Sequence, residues 1–208
     1  MMRIAIFADV QNAFYAAKHT FQGKLNYGRM LNDIKKDREL IRAFAYMTKR
    51  SDIDQSKFCG ALVGMGYDVR SRDAKAKNKE GKTSYVKSSY EVMLAMDAVT
   101  MSEKVDTIVL ITGDSAYLPL INFLKSRGCR VELIGFYDST SNDLIKASDK
   151  YTVVPKDWII MQNKKEEYEE EEDEYEDEEV VSDDLENIDE EGEQPAVAGQ
   201  PTAFGMFE

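Results

Sequence analysis

Apolar and polar positions alternate along this chain in short runs of two kinds. Ile4–Ala8, Leu40–Tyr46, Thr107–Ile111, Arg130–Phe136 and Tyr151–Val154 are compact, largely apolar stretches and, with the more polar Tyr67–Arg72, predict strands. Ala13–Phe21, Tyr27–Lys35, Gln55–Met65, Ser88–Met101, Ala116–Ser126 and Asn142–Ala147 carry the spacing of amphipathic or buried helices. Gly66 and Gly128 stand where a helix must end before the next strand begins. Strands that alternate with helices predict βαβ units with right-handed crossovers, hence an α/β fold around a mostly parallel sheet. There is no internal repeat.

The alternation stops near Gln162, which divides the chain into a domain at 1–162 and a tail at 163–208. An acid run opens after Lys164-Lys165 and continues through Glu193 with very few apolar residues. Such a segment cannot bury enough surface to offset its ordering entropy, so disorder is expected. The final residues, 203–208, contain Phe204, Met206 and Phe207 after this charged tether and read as a short docking motif for a protein partner.

The split changes the meaning of the net charge. The chain carries −12, but residues 1–162 hold 25 Lys and Arg against 19 Asp and Glu, a net +6. Residues 163–208 hold 2 Lys against 20 acids, a net −18. A mildly basic body is compatible with nucleic acid. Cys59 and Cys129 match no metal or redox spacing and read as buried thiols in a reducing compartment. No stretch reaches the roughly 18 apolar residues of a membrane span, and Met1-Met2-Arg3 lacks a signal-peptide pattern. These features predict a cytoplasmic protein that does not enter a membrane and whose homo-oligomeric state is left open.

Two carboxylates stand at the ends of predicted strands. Asp9 closes Ile4–Ala8 and is followed three residues later by Asn12; Asp114 follows Thr107–Ile111 through Thr112-Gly113. In a parallel α/β sheet, ligands bind outside the carboxyl ends of the strands. Each Asp also suits a helix N-cap, a bland alternative that explains one such acid better than a matched pair. Glu91 opens the helix candidate that also carries Asp97. At about 100° per residue the two lie on different faces, so Glu91 is favoured as a ligand and Asp97 as a support behind it or a structural residue.

Just upstream, Arg70, Arg72, Lys75, Lys77, Lys79, Lys82 and Lys87 give seven bases against two acids, a loop able to track phosphates, with Tyr85 available to stack on a base. A solvated loop is the plain alternative. There is no glycine-rich phosphate loop, and the single histidine, His19, has no visible partner. Carboxylates with Mg²⁺ or Mn²⁺ are the chemistry these residues support.

The chain resembles the NYN domain family, LabA-like branch, of the PIN-like nuclease fold. The resemblance spans roughly residues 3–160. It rests on Ile6-Phe-Ala-Asp9-Val-Gln-Asn12, Lys87-Ser-Ser-Tyr-Glu91-Val-Met-Leu-Ala-Met-Asp97, Ile108-Val-Leu-Ile-Thr-Gly113-Asp114-Ser-Ala116, Gly128–Gly135 and Leu144–Tyr151. It implies a three-layer sandwich, an acidic pocket that holds Mg²⁺ or Mn²⁺, and RNA cleavage. Asp9, Glu91 and Asp114 would then be ligands, with Asn12 in support. Glu91 replaces the family's usual Asp. The family's Gly-Asp-Ser-Asp reads Gly113-Asp114-Ser115-Ala116, one acid short, for which Asp138 or Asp143 is a candidate substitute. Two functions follow: a metal-dependent ribonuclease, or a catalytically impaired RNA-binding or adaptor module that docks partners through its tail.

Overall fold

The run Ile4–Ala8 becomes the centre of the sheet because it is apolar on both sides, as a strand covered on both faces requires. The computed structural model describes residues 1–79, 82–86 and 90–161, with 75–79 and 82–86 described by backbone alone. In chain order, β1 (Arg3–Asp9), α1 (Val10–Phe21), β2 (Gly23–Leu25), α2 (Tyr27–Lys35), β3 (Glu39–Lys49), α3 (Ser56–Gly64) and β4 (Asp68–Asp73) come first. A pair, β5 (Lys75–Lys79) and β6 (Lys82–Val86), follows, then α4 (Glu91–Ser102), β7 (Thr107–Ile111) and α5 (Leu118–Ser126). The described chain closes with β8 (Arg130–Gly135), α6 (Asn142–Ala147), β9 (Lys150–Val153) and β10 (Ile159–Met161).

Six strands form one sheet in the order β4-β3-β1-β7-β8-β9, every neighbouring pair parallel. From β1 the chain first winds outward through β3 to β4, then returns to β7 on the other side and winds through β8 to β9. The strand order therefore reverses between β1 and β7, and the crevice at their carboxyl ends is the topological switch point. Ala8 pairs with Ile111, so Asp9 and Thr112 leave the sheet side by side.

Alternate residues of β1 feed two cores. Ile4, Ile6 and Ala8 join Ala13, Met30, Leu31 and Leu62 on one face. Ala5 and Phe7 join Leu94, Ile121, Leu124 and Leu144 on the other. The helices of the two halves thus cover opposite faces, giving the three layers expected. The expected glycine stops hold: Gly66 and Gly128 have φ of 99° and 80°, the left-handed region just past a helix end. A small antiparallel pair, β2 with β10, secures the end of the described chain. There the Trp158 indole N–H donates to Asp33 at 2.7 Å, and the Asn26 amide donates to the Trp158 carbonyl at 2.7 Å.

One expectation needs correction. The basic stretch after Arg72 is not a loop: β5 and β6 pair antiparallel from Lys75↔Val86 to Lys79↔Lys82. Thr83, Tyr85 and Val86 favour extended backbone. The tail 163–208, including Phe204 and Phe207, lies outside the described residues, as does Lys87. Among the described residues no helix is long and apolar enough to cross a membrane.

Candidate active site at the switch point

Helix α1 starts immediately after β1 because Asp9 caps it. Asp9 keeps extended backbone, and its Oδ1 accepts the Asn12 amide at 3.0 Å. The cap reading is therefore correct, but it is not the whole account. The same Oδ1 accepts the Tyr90 hydroxyl at 2.5 Å, and Oδ2 accepts the Thr112 hydroxyl at 3.4 Å. Asp9 is fully buried, a costly place for a carboxylate whose only task is to cap.

The tips of β1 and β7 are locked together. Asn12 Oδ1 accepts the Gly113 amide at 2.8 Å, and Thr112 Oγ1 accepts the Asp114 amide at 3.2 Å. Gly113 has no room for a side chain: a Cβ there would run into the backbone of Ser139 and Thr140. The Ser141 amide donates to the Gly113 carbonyl at 3.0 Å, so the loop after β8 clamps the tip from above. Asp114 in turn caps a short 3-10 turn, Ser115–Tyr117, through a 2.9 Å bond from the Ala116 amide. Both strand-tip acids are caps, and Ala116 itself is exposed.

Glu91 is the first residue of α4 and is half-buried. Burial first, then the negative charges of Asp9, Glu91 and Asp114, hold Tyr117 far above the ordinary phenol range. Its hydroxyl is buried and makes no hydrogen bond of ordinary geometry, although it faces Asp9. Burial, followed by the charge of Asp9 and the bond to it, does the same to Tyr90. Both phenols are therefore protonated donors at neutral pH.

Asp97 lies behind this group. Its Oδ2 accepts the Tyr46 hydroxyl at 2.8 Å and faces the Arg70 guanidinium at 3.8 Å. Tyr46 stacks on Tyr90 with ring centroids 6.4 Å apart, which links Asp97 to Asp9 through two aromatic rings. Arg70 also lies 5.7 Å from the centre of the Phe44 ring. Arg72 is exposed on β4. Lys75, Lys77, Lys79 and Lys82 sit on the β5–β6 hairpin, whose chain leads through Lys87 to Tyr90 and Glu91. Tyr90, Thr112 and Tyr117 were not singled out by sequence. Each looks like core or turn material, and only its position beside a candidate acid was a signal.

The NYN domain model matches residues 3–155. The chain belongs to the NYN domain family. Among curated NYN-related proteins it is 29% identical over 156 residues to the low amplitude and bright protein LabA of Synechococcus elongatus, covering 72% of this chain and 82% of LabA. That similarity supports the LabA-like branch of the NYN family. Among solved structures, a protein of unknown function from Vibrio parahaemolyticus matches with a TM-score of 0.68 and 25% identity, over 76% of this chain and 96% of that one. NYN domains are a PIN-like nuclease family of generally divalent-metal-dependent enzymes, so a nuclease-type function is supported.

The donor set fits such a cation in kind. Asp9, Glu91 and Asp114 are hard oxygen donors at one crevice. Mg²⁺ is commonly held by one or two carboxylates with water and substrate phosphate completing the shell. Among the described residues no three acids, histidines or cysteines are close enough to form a ligand cluster of their own. Asp138 and Asp143 do not complete one.

Proposed function

We propose that this NYN domain is a metal-dependent ribonuclease acting at the crevice between β1 and β7. The observation that carries the proposal is the fully buried Asp9 carboxylate at the switch point, fixed by the Asn12 amide and the Tyr90 and Thr112 hydroxyls and tied through Thr112 to the tip that bears Asp114. A carboxylate buried this deeply costs stability, and the crevice at a switch point is where such sheets bind their ligands. Asp9 and Asp114, with Glu91 alongside, would hold Mg²⁺ or Mn²⁺, which would supply Lewis acidity and an activated water.

The chain's own residues prepare that site. Tyr90 and Asn12 fix Asp9 Oδ1, while Thr112 couples Asp9 to the Asp114 tip through its own hydroxyl. Tyr117 keeps its proton and backs the Asp9 carboxylate from within the core. Arg72, Lys75, Lys77, Lys79, Lys82 and Lys87 seat the RNA backbone. Arg70, drawn to Asp97, holds the root of that basic strip in place. The products carry a 5′ phosphate and a 3′ hydroxyl. RNA is preferred to DNA through the family alone.

A second reading has specific support. The missing acid at Ala116 and the absence of a three-ligand cluster among the described residues suit a domain that binds RNA without cutting it. In that reading the acidic segment 163–208 and its Phe204 and Phe207 recruit a protein partner. End-labelled single-stranded and structured RNAs with Mn²⁺, Mg²⁺ or EDTA decide between the two. Metal-dependent cutting abolished by Asp114→Asn supports the nuclease; tight binding with no cutting under any metal supports the module.

A further inference from the structure

Helix α1 has a second use at its first turn. Asp9 and Asn12 belong to the acid crevice, while Val10 and Gln11 line a separate cavity of about 300 Å³. This cavity lies beyond the ends of β1 and β3, since Met47 and Thr48 of β3 form part of its wall. Its volume is at the lower end of the roughly 300–1,000 Å³ typical of small-molecule sites. Successive residues are about 3.8 Å apart, so the cavity wall begins one residue from the proposed catalytic carboxylate.

The wall is aromatic and stiff. Phe14 and Tyr15 meet edge to face at 5.5 Å; Tyr27 meets Phe58 at 6.0 Å and Tyr67 at 6.1 Å in the same manner. The Tyr67 hydroxyl donates to the Tyr27 carbonyl at 3.1 Å, and the Tyr27 hydroxyl reaches the Val10 carbonyl at 3.4 Å. Phe58 is 39% exposed, which opens the aromatic wall to solvent. The charges present do not make a phosphate site. Arg50 is bidentate to Asp52 at 2.7 and 3.1 Å, and Asp54 lies in the wall with Lys24. Shape and stacking must therefore do the recognising, and they suit a flat ring.

We propose that this cavity receives one unstacked nucleobase, from the nucleotide next to the phosphate held at the β1–β7 crevice. The proposal rests on the ribonuclease reading only for the source of the base. It gives the enzyme a reason to prefer single-stranded RNA, because a base held in a duplex cannot enter the cavity. A free nucleotide offers the same ring, and the test separates the two sources.

The test uses the full chain carrying Asp114→Asn, in Mg²⁺, and measures binding. The probes are AMP, GMP, CMP and UMP, ribose 5-phosphate, and a short single-stranded RNA with or without one abasic position. Phe58→Ala removes an exposed aromatic wall. Gln55→Trp fills the cavity, and it discards an amide oxygen that is buried without a partner. Thermal melts confirm that each variant folds, and Phe58→Ala carries the test if Gln55→Trp does not.

The mononucleotides are expected to bind and ribose 5-phosphate not to, with each variant weakening them about tenfold. Intact RNA is expected to bind about tenfold tighter than abasic RNA, and that difference should vanish in both variants. Nucleotide binding without an abasic effect retains the base site and assigns it to a free nucleotide. RNA binding that ignores both the abasic position and the variants, with no nucleotide binding, overturns the cavity proposal and leaves the ribonuclease reading intact. Nucleotide binding with no RNA binding keeps the cavity and sinks the ribonuclease reading.

Discussion

Carboxylates at the amino edge of this sheet and the two acids at the tips of β1 and β7 are held by different chemistry. At the amino edge they meet cations: Arg38 and Arg130 approach Glu132 at 2.9 and 3.4 Å, Arg3 meets Asp106 at 2.7 Å, and Lys125 meets Asp149 at 3.0 Å. At the carboxyl edge Asp9 is oriented by an amide and two hydroxyls, and Asp114 by an amide. A cation offsets an acid's charge and so serves stability. A neutral donor orients the acid and leaves the charge in place, which serves a cation or phosphate chemistry. On the proposed reading, this NYN domain is stabilised at the amino edge and works at the tips of β1 and β7.

The largest expected effect is at Asp9. Asp9→Asn keeps a side-chain oxygen for the α1 cap and for Tyr90 but removes the charge. Metal-dependent cleavage should fall by at least about 100-fold, while the melting temperature does not drop. Kinetics and a melt on one sample check both halves. Next comes Tyr90→Phe, which removes a buried hydroxyl from a carboxylate. We expect a loss of about 10- to 100-fold in cleavage and roughly 1.5–3 kcal/mol in stability, read by urea unfolding.

At the opposite edge, Glu132→Gln should behave in reverse. Glu132 is 10% exposed and Arg38 21%, so losing the charge should cost about 2 kcal/mol, below the figure for a fully buried pair. Cleavage at 25 °C should stay within about twofold of wild type. The smallest effect is the pH response of Asp149. Burial pushes its carboxyl up, but the Val131 amide and Lys125 outweigh that and hold it below the ordinary carboxylate range. A depressed folded-state value contributes stability above the unfolded value, and that stability fades as pH falls through the folded one. Lys125→Met should shrink this acid-side loss, an effect below about 1 kcal/mol.

Much of this was legible in the sequence. The strand of continuous apolar residues at Ile4–Ala8, the glycine stops at 66 and 128, and the two strand-tip acids all follow from local chemistry. The basic hairpin was missed because lysines at every other position resemble a solvated loop as much as a strand. Tyr90 and Tyr117 were missed for a different reason. A buried tyrosine looks like core until the fold shows which charge its hydroxyl faces, and that depends on residues far away in sequence. The role of Asp97 was half visible: helical geometry separated it from Glu91, but only packing shows Tyr46 and Arg70 beside it.

The most direct test sets the two edges against each other in one assay. Labelled single-stranded RNA is incubated with wild type, Asp9→Asn or Glu132→Gln in Mg²⁺ or EDTA at 25 °C, and each protein is melted in parallel. The account predicts that wild type and Glu132→Gln cut only in Mg²⁺, that Asp9→Asn is folded but silent, and that Glu132→Gln alone melts early. Cleavage that survives EDTA or Asp9→Asn would contradict the placement of the chemistry at the carboxyl edge.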